Sequence, residues 1–145
     1  MADTFSKEKR SDIMRRVKSF NTKPEQIVRK NLHKLGFRFT LHSKRLPGRP
    51  DIVLPKYKVV ININGCFWHG HVDCKRSVLP KANDQYWKDK IEKNKNRDKS
   101  NNQKLNQLGW RVITIFECEL KLKNIPDTIS RIINEINAPK TNNLN

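Results

Sequence analysis

Apolar residues change their spacing repeatedly along this chain, and each change marks an element. In residues 6–18, Ile13, Met14 and Val17 fall on one side of a basic stretch. That is enough for a short helix but too little apolar surface for one that stands alone, so residues 1–20 read as an arm. Thr22-Lys23-Pro24-Glu25 has the capping-box pattern of a helix start, after which Val28, Leu32 and Leu35 fall at i, i+4 and i+7 until Gly36 stops the run. Phe37, Phe39 and Leu41 alternate with polar residues, Ile52 to Leu54 follows the Pro47-Gly48-Arg49-Pro50 turn, and Val59 to Ile63 is almost continuously apolar up to Gly65. These are three consecutive predicted strands. Residues 84–108 form a long, highly charged helix punctuated by Gly109, residues 110–116 a further strand, and Pro126 opens a closing helix with Ile129, Ile132, Ile133 and Ile136. The expected order is α, α, β, β, β, loop, α, β, α: an α/β domain over residues 21–136, with a flexible polar tail at 137–145 and no internal repeat.

Composition narrows what such a domain does. At 145 residues the chain fits one domain, which at about this size buries roughly 70% of its unfolded surface. With 35% apolar residues and a mean hydropathy of −0.83, something besides apolar burial is expected to help hold it. Lys and Arg number 31 against 14 Asp and Glu, a net charge of +17, and residues 1–50 hold 14 of the bases and 4 of the acids. Self-repulsion of that size points to a polyanionic partner, nucleic acid first, with the N-terminal third against phosphates. A basic face kept only for solubility is the alternative. The opening MADTFSKEKR lacks the apolar stretch of a secretory leader, and no window approaches the ~18 apolar residues of a membrane span. A cytoplasmic protein without membrane contact is expected. Three cysteines in a reducing compartment argue for metal ligation or simple burial rather than disulfides.

The cysteines carry the strongest local signal. Cys66, His71 and Cys74 lie together in C-F-W-H-G-H-V-D-C, and Cys118 waits at the end of the last predicted strand. Three thiolates and an imidazole make a closed tetrahedral set suited to structural zinc; buried, unliganded cysteines beside a surface His are the plainer reading. Asp51, at the edge of a strand beside a second strand, has the placement of a Mg²⁺ carboxylate, although a Pro-Asp pair is more often only a turn. His69 and Asp98 suit a general base with an orienting acid if the 84–108 helix docks on the metal loop. His69 as a spare zinc ligand and Asp98 as a surface partner of Arg97 compete with that reading. Phe67, Trp68 and Trp87 lie amid cationic sequence, which fits wedges that enter a base stack, where separation is easiest at a mismatch, and equally fits core residues.

Together, L-P-G-R-P-D ending at Asp51, N-G-C-F-W-H, the E-K-N-x-x-R-D run from Glu92 and L-G-W-R-V from Leu108 resemble the very short patch repair endonucleases over about residues 8–120. The resemblance implies a restriction-endonuclease-like mixed sheet of the PD-(D/E)xK type flanked by helices, and a structural zinc. It also implies Mg²⁺-dependent nicking of duplex DNA 5′ to the T of a T:G mismatch. It makes 21–136 an endonuclease domain and the protein a monomer that works beside a cytosine methyltransferase and repair proteins. Residue by residue, it makes Asp51 and the carbonyl of Ile63 the Mg²⁺ ligands, His69 the base, Asp98 its partner and Glu25 an acid reaching the metal through water. It assigns Cys66, His71, Cys74 and Cys118 to zinc. Phe67, Trp68 and Trp87 insert from the major groove and Met14 approaches from the minor groove. The chain departs from the best-known members at Asn64, where they carry a catalytic His; an amide can hydrogen-bond a phosphate or water but cannot shuttle a proton at neutral pH. The loop from His71 to Cys74 is one residue longer. A restriction-type nuclease and a zinc-stabilised DNA-binding module without catalysis are the alternatives.

Overall fold

The computed structural model describes residues 22–72 and 74–138. The expected arm with Met14, and the tail beyond 138, lie outside the described residues. Helix α1 (Lys23–Lys34) begins where Thr22 Oγ1 accepts from the Glu25 N–H at 3.4 Å. Only half of the expected capping box forms, because the Glu25 carboxylate turns inward instead of back to Thr22. Strands β1 (Thr40–Leu41), β2 (Ile52–Leu54) and β3 (Val59–Asn64) follow, then helix α2 (Asp84–Gln107), strand β4 (Arg111–Phe116) and helix α3 (Ile125–Asn137). Both α1 and α2 end in the same way. Gly36 (φ +89°) and Gly109 (φ +90°) turn left-handed, so that Phe37 N–H reaches the Leu32 carbonyl and Trp110 N–H the Leu105 carbonyl, each at 3.0 Å.

The sheet runs β1-β2-β3-β4, antiparallel through β3, with β4 parallel to β3. A parallel pair needs a long crossover, and α2 supplies it. The strand expected over Phe37 to Leu41 shrinks to two paired residues, Thr40 opposite Val53 and Leu41 opposite Ile52. Phe37 and Phe39 pack on the core from the segment before it. Cys118 lies not at a strand end but in a short 3-10 turn, Glu117–Leu120, that follows β4.

Strand alternation divides the sheet into two unlike faces. Ile52, Leu54, Val59, Ile61, Ile113 and Ile115 point to one side and meet Val28 and Leu32 of α1 and Ile129, Ile132 and Ile136 of α3 in one buried cluster. On the other side, Val53 and Val60 meet Leu105 of α2, flanked by Leu46, Trp110 and Val112. Further along that face β3 and β4 become polar, with Asn62, Asn64 and Thr114 lining a cleft under α2. Of the 24 residues of α2 only Ile91 and Leu105 are buried, so this helix roofs the cleft more than it builds core. Among the described residues no helix is long and apolar enough to cross a membrane.

Candidate functional site

The cleft has a volume of about 850 Å³ and opens at the ends of β2, β3 and β4. Asp51 precedes β2 and enters the cleft, where its Oδ2 accepts from the Ile63 N–H at 2.7 Å, so the two residues expected to serve Mg²⁺ are directly bonded. Burial pushes the Asp51 carboxyl up to about 6. The Ile63 N–H opposes that rise, the neighbouring Glu25 adds to it, and His42 and His69 oppose it. Glu25, Asp51 and His42 each offer a donor atom within 4.8 Å of the others. His42 Nε2 makes a short hydrogen bond with Glu25 Oε1, while Glu25 Oε2 is buried with no hydrogen-bond partner among the described residues. Two carboxylates and an orphaned acceptor fit a divalent cation that prefers oxygen ligands.

His69 and Asp98 open into the same cleft. His69 Nδ1 lies 2.5 Å from Asp98 Oδ2, which leaves Nε2 as the outward nitrogen of the ring. Helix α2 docks on the loop before it, as the sequence reading required: one turn ahead of Asp98, the Asn94 amide donates to the Trp68 carbonyl at 2.8 Å. Gly70 makes the close approach, since a Cβ there would lie 2.8 Å from Ile91 Cγ2. The Arg97 side chain instead donates to Asn94 Oδ1, so Asp98 is not its surface partner. Asn64 reaches the cleft beside His69.

The donor atoms of Cys66, His71, Cys74 and Cys118 lie within 4.8 Å of one another, and His69 is not among them. Cys66 is fully buried, and burial pushes its thiol up to about 12; Cys118 is raised for the same first reason. A soft cation would reverse that cost by stabilising the thiolates, so this donor set fits a metal. The surroundings fix the ligands. His71 stacks on Phe116 with centroids 3.9 Å apart, and Ser77 Oγ donates to the His71 and Cys74 carbonyls at 2.6 and 2.8 Å.

Phe67, Trp68 and Trp87 are half-buried against one another, edge to face, with centroids 5.2 to 5.8 Å apart. Tyr86, which the sequence did not single out, extends the cluster at 5.0 Å from Trp87 and is 54% exposed, with Lys90 near both it and Trp68. His42 was missed as well. A lone His after a short strand gives no sign of a carboxylate brought to it from a helix 17 residues earlier.

Comparison with known proteins decides the family. The model of the DNA mismatch endonuclease Vsr family matches residues 2–76. The chain belongs to the Vsr family. A relative from Neisseria meningitidis serogroup A, the Type II nicking enzyme V.NmeAIP, is 47% identical over 137 residues, 94% of this chain and 97% of its own. The Type II nicking enzyme V.XorIIP of Xanthomonas oryzae pv. oryzae is 46% identical, covering 88% of this chain and 98% of its own. The DNA mismatch endonuclease Vsr of Escherichia coli strain K12 is 39% identical over 83% of this chain and 77% of its own. Among solved structures, the catalytic domain of the homing endonuclease I-Bth0305I superposes with a TM-score of 0.53 at 24% identity, covering 79% of this chain and 93% of that one. This likeness extends the mixed sheet and flanking helices of the Vsr chain to a nuclease fold. The chain is thus an endonuclease of the Vsr family, with a Cys/His cluster able to hold a metal.

Proposed function

We propose that this endonuclease nicks one strand of duplex DNA 5′ to the T of a T:G mismatch. In this reading Mg²⁺ is held at Asp51 and the Ile63 carbonyl, and zinc at Cys66, His71, Cys74 and Cys118. The observation that carries it is the shared cleft: a His-Asp pair and a buried carboxylate centre, contributed by different elements, face one space large enough for a phosphodiester. A cation on Asp51 supplies charge neutralisation at the scissile phosphate. Asp98 holds the His69 ring by Nδ1, so that Nε2 takes a proton from the attacking water. Asn64 hydrogen-bonds phosphate or water without transferring a proton. Glu25 reaches the cation through water. The zinc cluster fixes loop 66–74, from which Phe67 and Trp68, with Trp87 of α2, enter the mispaired step from the major groove. The basic arm, residues 1–20, lies along phosphates with Met14 toward the minor groove, and the endonuclease domain expected over 21–136 runs on through Asn137, the last residue of α3, before the tail. The protein acts as a cytoplasmic monomer beside other repair proteins.

A nicking assay with Mg²⁺ on otherwise identical T:G and matched duplexes tests the reading. Single-strand cleavage confined to the T:G duplex and lost in Asp51→Ala is expected; equal cutting of matched DNA, or full activity of Asp51→Ala, would reject it.

A further inference from the structure

Glu25 is the one fully buried acid among the described residues, 1% exposed. A carboxylate removed from water needs partners for both oxygens, or it becomes a standing cost to the fold. Oε1 has the His42 ring; Oε2 has none among the described residues.

His42 is itself unusual. It follows directly on β1 with φ +48°, a left-handed conformation that side-chain-bearing residues adopt at a cost and that recurs where function demands it. In that conformation its N–H donates to the Asp51 carbonyl at 3.1 Å while its ring reaches Glu25. One residue is therefore bonded through its main chain to the residue of one acid and through its side chain to the other. Its donor atom lies within 4.8 Å of both carboxylates, which would also suit a metal ligand, but Nε2 is already engaged by Oε1.

We infer that His42 is a positioning residue of the divalent-cation centre. It clamps Glu25 by Oε1 so that Oε2 is presented to the cation or to a water the cation holds, and it fixes the chain at Asp51 against the same carboxylate. The inference rests on the reading above that Asp51 and Glu25 take the cation. Partners one step removed from a metal typically alter its affinity by roughly 10- to 100-fold when lost.

The test is Mn²⁺ binding to the full-length, zinc-loaded protein, followed by the electron paramagnetic resonance signal of free Mn²⁺, together with thermal unfolding and the Mg²⁺ concentration for half-maximal nicking. His42→Leu and Glu25→Gln are each expected to weaken Mn²⁺ binding by roughly tenfold or more. The double variant should bind no more weakly than either alone, because both remove one arrangement. His42→Gln should recover most of the affinity, since its amide nitrogen can donate to Oε1 as the ring does. Unchanged Mn²⁺ affinity in His42→Leu overturns the inference, as does a Gln variant no better than Leu at equal melting temperature. If His42→Leu does not fold, His42→Asn, whose shorter amide cannot span to Oε1, takes its place: affinity roughly tenfold below that of His42→Gln sustains the inference, and equal affinity of the two overturns it. Asp51→Ala separates the two levels. If that change leaves Mn²⁺ binding intact, the cation centre itself is misassigned; if it abolishes binding while His42→Leu does not alter it, only the role of His42 fails.

Discussion

The two faces of the sheet are built from the same strands and do opposite work. On one, Ile52 and Leu54 of β2, Val59 and Ile61 of β3 and Ile113 and Ile115 of β4 are branched apolar side chains sealed by α1 and α3. On the other, the apolar pattern stops after Val53, Val60 and Val112, and the next positions are Asn62, Asn64 and Thr114 under a helix with two buried residues. One face holds the fold and the other leaves room for a substrate. The polar face lacks the burial that would fix its loops, and the Cys/His cluster stands where that fixation is missing, joining loop 66–74 to the turn after β4.

The contrast breaks most visibly when the metal is withdrawn. Chelation removes a contribution of ~10 to 16 kcal/mol if zinc is bound as in comparable small sites, Cys118→Ser removes part of it, and the cleft side should lose order first. Amide hydrogen exchange checks this: protection in loop 66–74 and the start of α2 should vanish before that of Ile61 and Ile115, and Zn²⁺, not Mg²⁺, should restore it. On the cleft face, His69→Ala is expected to lower the nicking rate by roughly 10²- to 10⁴-fold with little change in melting temperature. On the sealed face the pattern reverses. Ile132→Ala, which empties a fully buried position, should cost about 2 to 5 kcal/mol in urea unfolding, whereas Asn102→Ala in the cleft stays within about 0.5 kcal/mol and shows in nicking instead.

The cleft face also carries a pH slope. The Asp51 carboxyl sits at about 6 in the folded protein against 3.8 ordinarily, so the folded state holds this proton more tightly than the unfolded one. Without a divalent cation, the stability linked to Asp51 is fully present below about pH 4 and declines by about 3 kcal/mol as pH rises through about 6. Urea midpoints of wild type and Asp51→Asn at pH 4 and pH 7 isolate it: the Asn variant should lack this part of the decline and be the more stable at pH 7.

Local rules made the framework legible in the sequence. Thr22, Gly36 and Gly109 bound their helices as expected, the apolar run at 59–63 became β3, and the cysteine spacing already outlined one cluster. What stayed hidden depended on partners far along the chain. Phe37 and Phe39 alternate as in a strand, but the neighbouring strand among the described residues, β2, is three residues long and pairs with two. Glu25 looked like a capping acid because the pattern at positions 22–25 is local, while its real partner His42 is set by tertiary packing and a left-handed backbone that no periodicity encodes. Tyr86 was one aromatic in a polar helix until the docking of α2 on loop 66–74 brought its neighbour Trp87 against Phe67 and Trp68.

Asn94 and Asp98 are neighbours on one turn of α2, and each grips an adjacent residue of the loop opposite, the Trp68 carbonyl and the His69 ring. The Trp68 main chain and the imidazole are thereby yoked to a single rigid bar. A shift of the Trp68 main chain that slides or tilts that turn re-aims His69 as well, through two hydrogen bonds and no longer relay.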